Sequence, residues 1–159
     1  MLNMAKNLFI SIILSFFLAN AASSSGDNSD SLSEFELMFS GFDTCDIRNV
    51  YFDAVNKVVS NKYFLTRRLA PVKIEQNFVI YHVDESFYGV PVRKIVIPNQ
   101  YPVHALYFDV SLKKASSILS NKLKNGFHSL GDEHYFDKPV LMVDSEDKSK
   151  SVLTCGPKN

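Results

Sequence analysis

Apolar side chains recur at helical spacing in two segments of the chain, which predicts two amphipathic helices. The first segment runs from Asp46 to about Phe64. Its two neighbouring apolar stripes form a wide face, and neither Gly nor Pro interrupts it. The second runs from Ser111 to Lys124, and Gly126 just after it is a typical helix stop. Each helix is expected to bury its apolar face against a sheet.

Segments rich in β-branched and aromatic residues predict the strands. Asn77–Val83 is apolar on both faces, which predicts a central strand, and residues 84–86 predict a polar turn after it. Gly89 and Pro91 interrupt the next segment and indicate a bulge, a bend or an edge position. The other strand candidates are Phe87–Ile97, Val103–Val110, Glu133–Phe136, Val140–Val143 and Ser151–Cys155.

The order of these elements predicts an α+β fold in a single domain. Strands come in runs that are joined by short polar turns, and such runs form antiparallel sheets with helices on one face. We expect a mainly antiparallel sheet of about five strands, with two helices packed on it and one disulfide. This domain should extend over residues 34–159, after a flexible polar tether at residues 22–33.

Residues 1–21 have the pattern of a cleaved secretory signal peptide. Lys6 precedes an apolar run at residues 8–18, and small residues follow at Ala19 and Ala21. The run is too short to cross a hydrocarbon core of about 30 Å comfortably, which favours cleavage over a stable membrane anchor. We therefore expect an exported protein. The absence of an Asn-x-Ser/Thr sequon gives no support for a eukaryotic secretory origin. Together with the single pair of cysteines, it favours the bacterial periplasm over the extracellular space.

Composition narrows the class of protein further. The 159 residues carry 17 basic and 17 acidic side chains, so no global basic field would attract nucleic acid. The hydrophobic fraction of 46% is enough for a core and excludes a chain that is disordered throughout. In an exported chain, Cys45 and Cys155 are expected to form one disulfide rather than to remain free thiols.

The sequence contains no recognised catalytic or metal-binding motif. It has no G-x-S-x-G elbow, no Gly-rich phosphate loop and no H-E-x-x-H spacing. His82 and His104 would approach each other if their strands pair, but ordinary partly buried histidines are the simpler expectation. A second polar group, expected to be a solvated loop, comprises His128, Asp132, Glu133 and His134. We therefore expect no cofactor and no metal, and we favour a protein that is not an enzyme.

Aromatic residues and prolines concentrate around the predicted strand Phe87–Ile97. Tyr88 and Tyr101 flank this strand, and rigid loops that carry tyrosine lose little entropy on binding. Phe87, Tyr88 and Tyr101 are therefore candidate interface residues, with Tyr88 ahead of Tyr101. The alternative is that Phe87 packs in the core and Tyr88 covers a sheet edge.

These observations favour a small exported protein that binds another protein. The version that we prefer is a periplasmic inhibitor or immunity-type protein directed against a cell-envelope enzyme or toxin. The alternative is a small-ligand-binding protein or a hydrolase with an unrecognised site. A deep apolar pocket with converging polar groups would favour the alternative, whereas an exposed aromatic surface would favour protein binding.

Overall fold

The structure is a computed structural model that describes residues 31–129 and 137–156, and these residues form an α+β domain. The described helices are α1 Glu34–Met38, α2 Lys62–Arg67 and α3 Leu112–Leu119, with a 3₁₀ helix at Ser40–Thr44. The described strands are β1 Phe52–Asp53, β2 Val58–Val59, β3 Lys73–Ile74, β4 Phe78–Phe87, β5 Val90–Pro98, β6 His104–Phe108, β7 His128–Ser129, β8 Val140–Val143 and β9 Ser151–Cys155. None of the helices in these ranges is long and apolar enough to cross a membrane.

The main sheet has seven strands in the order β3-β4-β5-β6-β9-β8-β7. Adjacent strands of this sheet pair in antiparallel orientation, except β7 and β8, which are parallel. The expected mainly antiparallel sheet of about five strands is therefore wrong in the number of strands, and the parallel pair β7–β8 makes the sheet mixed. The additional strands β3 and β7 have two residues each, which is too short to leave a periodic pattern in the sequence. The candidate strand Glu133–Phe136 lies outside the described residues.

The helix that we expected from Asp46 to Phe64 does not form. An irregular segment at residues 45–51 leads into the antiparallel hairpin β1–β2, and the helix α2 begins only at Lys62. Cys45, Asn49 and Lys57 have positive φ angles, which a continuous right-handed helix does not tolerate. The apolar pattern marked burial only in part, because Val50 and Val59 are buried in the core whereas Tyr51 and Val55 of the same segment are exposed.

The strand β4 is longer than expected and does not lie at the centre of the sheet. It continues through the residues 84–86 that predicted a turn, with an irregularity between His82 and Glu85. The chain reverses instead at Tyr88 and Gly89, whose φ angles of 51° and 81° suit a tight two-residue hairpin turn. Glycine adopts such a conformation without steric cost, and this explains why the sequence has Gly at position 89.

The three α-helices pack on one face of the main sheet. Ser33, at the end of the expected tether, begins α1 because its side chain and that of Glu36 form a reciprocal capping box. Ser111 caps α3, which has the expected amphipathic pattern but ends at Leu119. The largest side chains that these helices and the sheet bury together are Phe35, Phe39, Phe42, Tyr63, Tyr81, Phe87, Phe108, Ile95, Ile97, Leu106, Leu119 and Leu153.

Cys45 and Cys155 form the expected disulfide, which confirms the pairing predicted from the sequence. The bond joins the end of the 3₁₀ helix to the last residue of β9, with 5.2 Å between the two Cα atoms. It closes a sequence separation of 110 residues and therefore links the start of the described domain to its end. The expected signal peptide at residues 1–21 and residues 22–30 of the expected tether lie outside the described residues.

Candidate functional site

Residues 45–51 cross the end of the sheet at which β6 begins and β9 ends. The disulfide holds the first residue of this segment, and the buried Nε2 of His104 lies 2.8 Å from the carbonyl oxygen of Val50. Gly41 allows the segment to pack closely, because a Cβ atom there would overlap the carbonyl oxygen of Asp46. The backbone that leads to Tyr51 is therefore fixed at several points.

Tyr51 is the aromatic side chain that this anchored segment presents to solvent. Its ring packs edge-on against the ring of His104, with 5.5 Å between the centroids, and its side chain remains 49% exposed. The Tyr51 hydroxyl donates a long hydrogen bond of 3.4 Å to the carbonyl oxygen of Ile47. A tyrosine held in this way has already lost most of its rotamer freedom before any partner binds.

Two open clefts lie on either side of Tyr51, and we call them together the Tyr51 site. The first has a volume of about 330 Å³ and is lined by Asn49, Tyr51, Phe52, Asp53 and Ser60. The second has a volume of about 240 Å³ and is lined by Cys45, Ile47, Tyr51, Pro102, His104, Cys155 and Gly156. Asn49, Asp53 and Ser60 contribute polar residues to the first cleft, whereas the second contains the disulfide and His104.

Tyr101, one of the residues predicted from the sequence, borders the Tyr51 site. It lies in the loop between β5 and β6, next to Pro102, which lines the second cleft. The carbonyl oxygen of Asn77 accepts hydrogen bonds from three successive backbone N–H groups of this loop, including that of Tyr101 at 3.3 Å. The loop is therefore tied to the sheet while the Tyr101 side chain is 51% exposed.

Phe87 and Tyr88 lie at the other end of the sheet. Phe87 has no exposed surface and packs edge-on against Phe42, so its expected place in an interface is wrong and the packing alternative is correct for this residue. Tyr88 is half-buried against the Phe87 ring, and its backbone N–H donates to Glu36 Oε1 at 2.7 Å. Burial raises the pKa of Tyr88, with smaller contributions from the nearby carboxylates of Asp43 and Glu36.

The chemistry of His104 favours recognition over proton transfer. Burial lowers the pKa of His104 to about 4, although the hydrogen bond to the Val50 carbonyl opposes this shift. The imidazole is therefore neutral near pH 7, and its Nε2–H donates to Val50. A general base needs a pKa near the working pH, so His104 is poorly suited to that role. The cysteines of the second cleft are joined in the disulfide and supply no thiolate.

The other histidines do not assemble with His104. His82 is exposed on β4, and β5 lies between β4 and β6, so the strand pairing that would bring His82 close to His104 does not form. His128 on β7 lies 2.8 Å from Asp137 Oδ1, whereas Asp132, Glu133 and His134 are outside the described residues. In residues 31–129 and 137–156, no group of three or more His, Cys, Asp or Glu side chains is arranged to hold a metal ion.

Sequence reasoning missed Tyr51, because its spacing placed it within the expected helix. The sequence does contain a turn signal that begins two residues after Tyr51. Asp53 and Asn56 are side chains that favour turns over helix interiors, and here Asp53 accepts hydrogen bonds from the backbone N–H groups of Val55 and Asn56. This pair could have indicated a hairpin, and with it an exposed tyrosine at its base.

No family model matches the chain, and neither the curated proteins nor the solved structures with which it was compared include a match.

Proposed function

We propose that this chain is a small exported binding protein that docks on another protein through the Tyr51 site. The observation that carries the proposal is the pair of half-exposed rings, Tyr51 and Tyr101, on anchored backbone beside open clefts. The preferred role is that of a periplasmic inhibitor or immunity-type protein that acts on a cell-envelope enzyme or toxin. Export, small size and a stabilising disulfide support that role.

Aromatic residues on rigid backbone are suited to protein binding. A few residues carry most of the affinity at protein interfaces, and tyrosine is enriched among them. Tyr51 is fixed by His104 and the disulfide-anchored segment, so its ring binds at a small cost in conformational entropy. Tyr101 is attached to a loop whose backbone is hydrogen-bonded to the carbonyl of Asn77.

The tip of the β1–β2 hairpin extends the apolar surface near Tyr51. Val55 is 89% exposed there, the largest exposure among the large hydrophobic side chains of the described ranges. Asp53 holds the hairpin loop through hydrogen bonds to the backbone N–H groups of Val55 and Asn56, at 2.8 and 3.0 Å. The Val55 side chain is therefore available to a partner that docks on the hairpin.

Export is the part of the proposal that can be tested separately. The signal pattern at residues 1–21 supports cleavage after Ala21, and a disulfide is compatible with an oxidising compartment. Edman degradation or intact-mass measurement of the protein purified from cells should give Ala22 as the first residue. A protein that retains Met1 and fractionates with the cytoplasm would contradict export.

The hydrolase alternative receives less support from the Tyr51 site. Its buried imidazole is neutral, its Nε2 is engaged with a backbone carbonyl, and the residues that line the cleft include no Ser, Thr or free Cys that it could activate. The cleft beside it has about 240 Å³ and is open rather than enclosed. A ligand-binding pocket usually encloses most of its ligand, which favours a protein partner here.

Site-specific photocrosslinking would test the proposed docking surface. A photoreactive p-benzoylphenylalanine placed at Tyr101 should crosslink to one protein from the cell envelope of the source organism. The matched control is the same group at Leu37, which is 58% exposed on α1 and therefore equally available to solvent. A crosslink at position 101 but not at position 37 is the expected result. Equal crosslinking at both positions, or none at position 101, would contradict docking through the Tyr51 site.

A further inference from the structure

The first cleft of the Tyr51 site contains a carboxylate that no cation of the described residues neutralises. Asp53 lines this cleft and forms no ion pair within residues 31–129 and 137–156. Its oxygens accept hydrogen bonds from the Asn56 side-chain amide at 2.6 Å and from the two backbone N–H groups of the loop. All three donors are neutral, so the negative charge of Asp53 remains uncompensated.

The same hydrogen bonds keep Asp53 ionised and oriented. They lower the pKa of Asp53, and the largest contribution comes from the backbone N–H of Asn56. Lys57 lies on the same hairpin but forms no ion pair with Asp53, and the neutral His104 adds no positive charge to the neighbouring cleft. A cationic group that enters the first cleft therefore meets a full negative charge and no competing cation.

The remaining walls of this cleft supply further acceptors and an aromatic ring. The side-chain amide of Asn49 and the hydroxyl of Ser60 form no hydrogen bond within the described ranges, so both can accept from a ligand. Tyr51 also lines the cleft and brings an aromatic residue to it. The cleft thus combines a carboxylate, two neutral acceptors and an aromatic surface within about 330 Å³.

This combination matches a guanidinium group better than an ammonium group. A guanidinium is planar, carries five N–H donors, pairs with carboxylates and stacks on aromatic rings. An ammonium is a compact, strongly hydrated charge with three donors. We propose that the first cleft binds an arginine side chain of the protein partner. This inference rests on the proposed function and names the chemistry that the Tyr51 site recognises.

An NMR titration of the ¹⁵N-labelled exported protein would test the inference without the partner. The probe is N-acetyl-L-arginine methylamide, and its neutral isostere N-acetyl-L-citrulline methylamide is the first comparison. The arginine probe should cause saturable shifts confined to the backbone amides of residues 49–53 and of Ser60. The citrulline probe should bind at least about five-fold more weakly than the arginine probe, because it lacks the charge that pairs with Asp53.

Asp53→Asn is the matched variant, because asparagine retains an oxygen that accepts from the two loop N–H groups. It should weaken binding of the arginine probe about five-fold, whereas Asp84→Asn, the same charge change at an exposed position of β4, should have no effect. Tyr51→Leu removes the aromatic wall and should also weaken binding. Equal affinity for arginine and citrulline, or an unchanged affinity of Asp53→Asn, would overturn the inference. Equal binding of the corresponding lysine probe would overturn the preference for guanidinium.

The two proposals can fail separately. If photocrosslinking shows that the partner does not contact Tyr101, the proposed function fails even when the arginine probe binds the cleft. If the partner crosslinks at Tyr101 but the arginine probe causes no shifts at residues 49–53, only the arginine inference fails.

Discussion

Tyr88 and Tyr101 flank the same strand, yet the structure gives their side chains different surroundings. The nine-residue strand β5 separates them by about 30 Å. Tyr88 packs against Phe87 and receives a contact from α1 through Glu36, whereas Tyr101 is half-exposed next to the second cleft. The local sequence is similar at both ends, with Pro nearby, so the difference arises from segments that are distant in the sequence. Residues 34–44 cover the Tyr88 end, while residues 45–51 leave the Tyr101 end open.

The disulfide should account for the largest single effect at the Tyr101 end. Replacing both cysteines by serine releases a loop of 110 residues, and the chain-entropy model puts the loss in free energy of unfolding at about 4–5 kcal/mol. Urea denaturation of the double variant and of the oxidised protein measures this loss. A loss below about 1 kcal/mol would show that residues 45–51 are held in place without the disulfide. The disulfide would then not explain why the Tyr101 end differs from the Tyr88 end.

His104 should make the stability of this end depend on pH. Its pKa is about 4 in the folded protein and near 6.5 when unfolded, so the unfolded chain binds the proton more tightly between these values. The neutral form therefore contributes stability that is complete above about pH 6.5 and is lost as the pH falls to about 4. The expected loss from this group is about 3 kcal/mol.

His104→Gln separates this contribution from that of the carboxylates. The glutamine amide can still donate to the Val50 carbonyl but does not titrate. Urea denaturation between pH 4 and pH 7 should show a smaller loss of stability for the variant than for the unmodified protein. The exposed His82→Gln serves as the control and should keep the full pH dependence. Identical pH profiles for all three proteins would contradict the burial of His104.

Truncation of the two tyrosines compares the ends directly and gives the smallest effects. Tyr88→Ala should lower the free energy of unfolding by about 1 kcal/mol, because it removes the ring contact with Phe87. The positive φ angle at this position is equally unfavourable for Tyr and Ala, so the backbone adds nothing to this loss. Tyr101→Ala should change stability by less than about 0.5 kcal/mol, as is usual for an exposed side chain. Thermal denaturation should therefore show a larger loss of stability for Tyr88→Ala than for Tyr101→Ala. A larger loss for Tyr101→Ala would contradict the description of the Tyr101 end as the open end of the sheet.

The sequence predicted those parts of the fold whose pattern is local. The strands Val140–Val143 and Ser151–Cys155 were predicted with their observed bounds, because a polar turn separates two short apolar runs. The disulfide was predicted from two cysteines in a chain whose first 21 residues have the pattern of an export signal. The segment from Asp46 to Phe64 was misassigned because apolar residues at helical spacing also occur in an irregular segment and a hairpin that bury some of them and expose others.

The candidate site is formed by contacts between residues that lie far apart in the sequence, and no local sequence pattern predicts such contacts. Tyr101 could be predicted from the sequence because Pro98 and Pro102 lie on either side of it. Tyr51 was not, since its exposure depends on how the Cys45–Cys155 bond and the His104–Val50 hydrogen bond fold the preceding segment over the sheet. Each of these contacts joins residues more than 50 positions apart in the chain.

The most direct test of the docking proposal is the affinity of tyrosine variants for the crosslinked partner once it is purified. Isothermal titration calorimetry should show that Tyr51→Ala weakens binding by about 2 kcal/mol, or roughly thirty-fold, as expected for an aromatic anchor. Tyr101→Ala should also weaken binding, whereas Tyr88→Ala and Leu37→Ala should leave the affinity within about two-fold. A loss of affinity in Tyr88→Ala with unchanged binding in Tyr51→Ala would contradict the account, because the docking surface would then lie at the opposite end of the sheet.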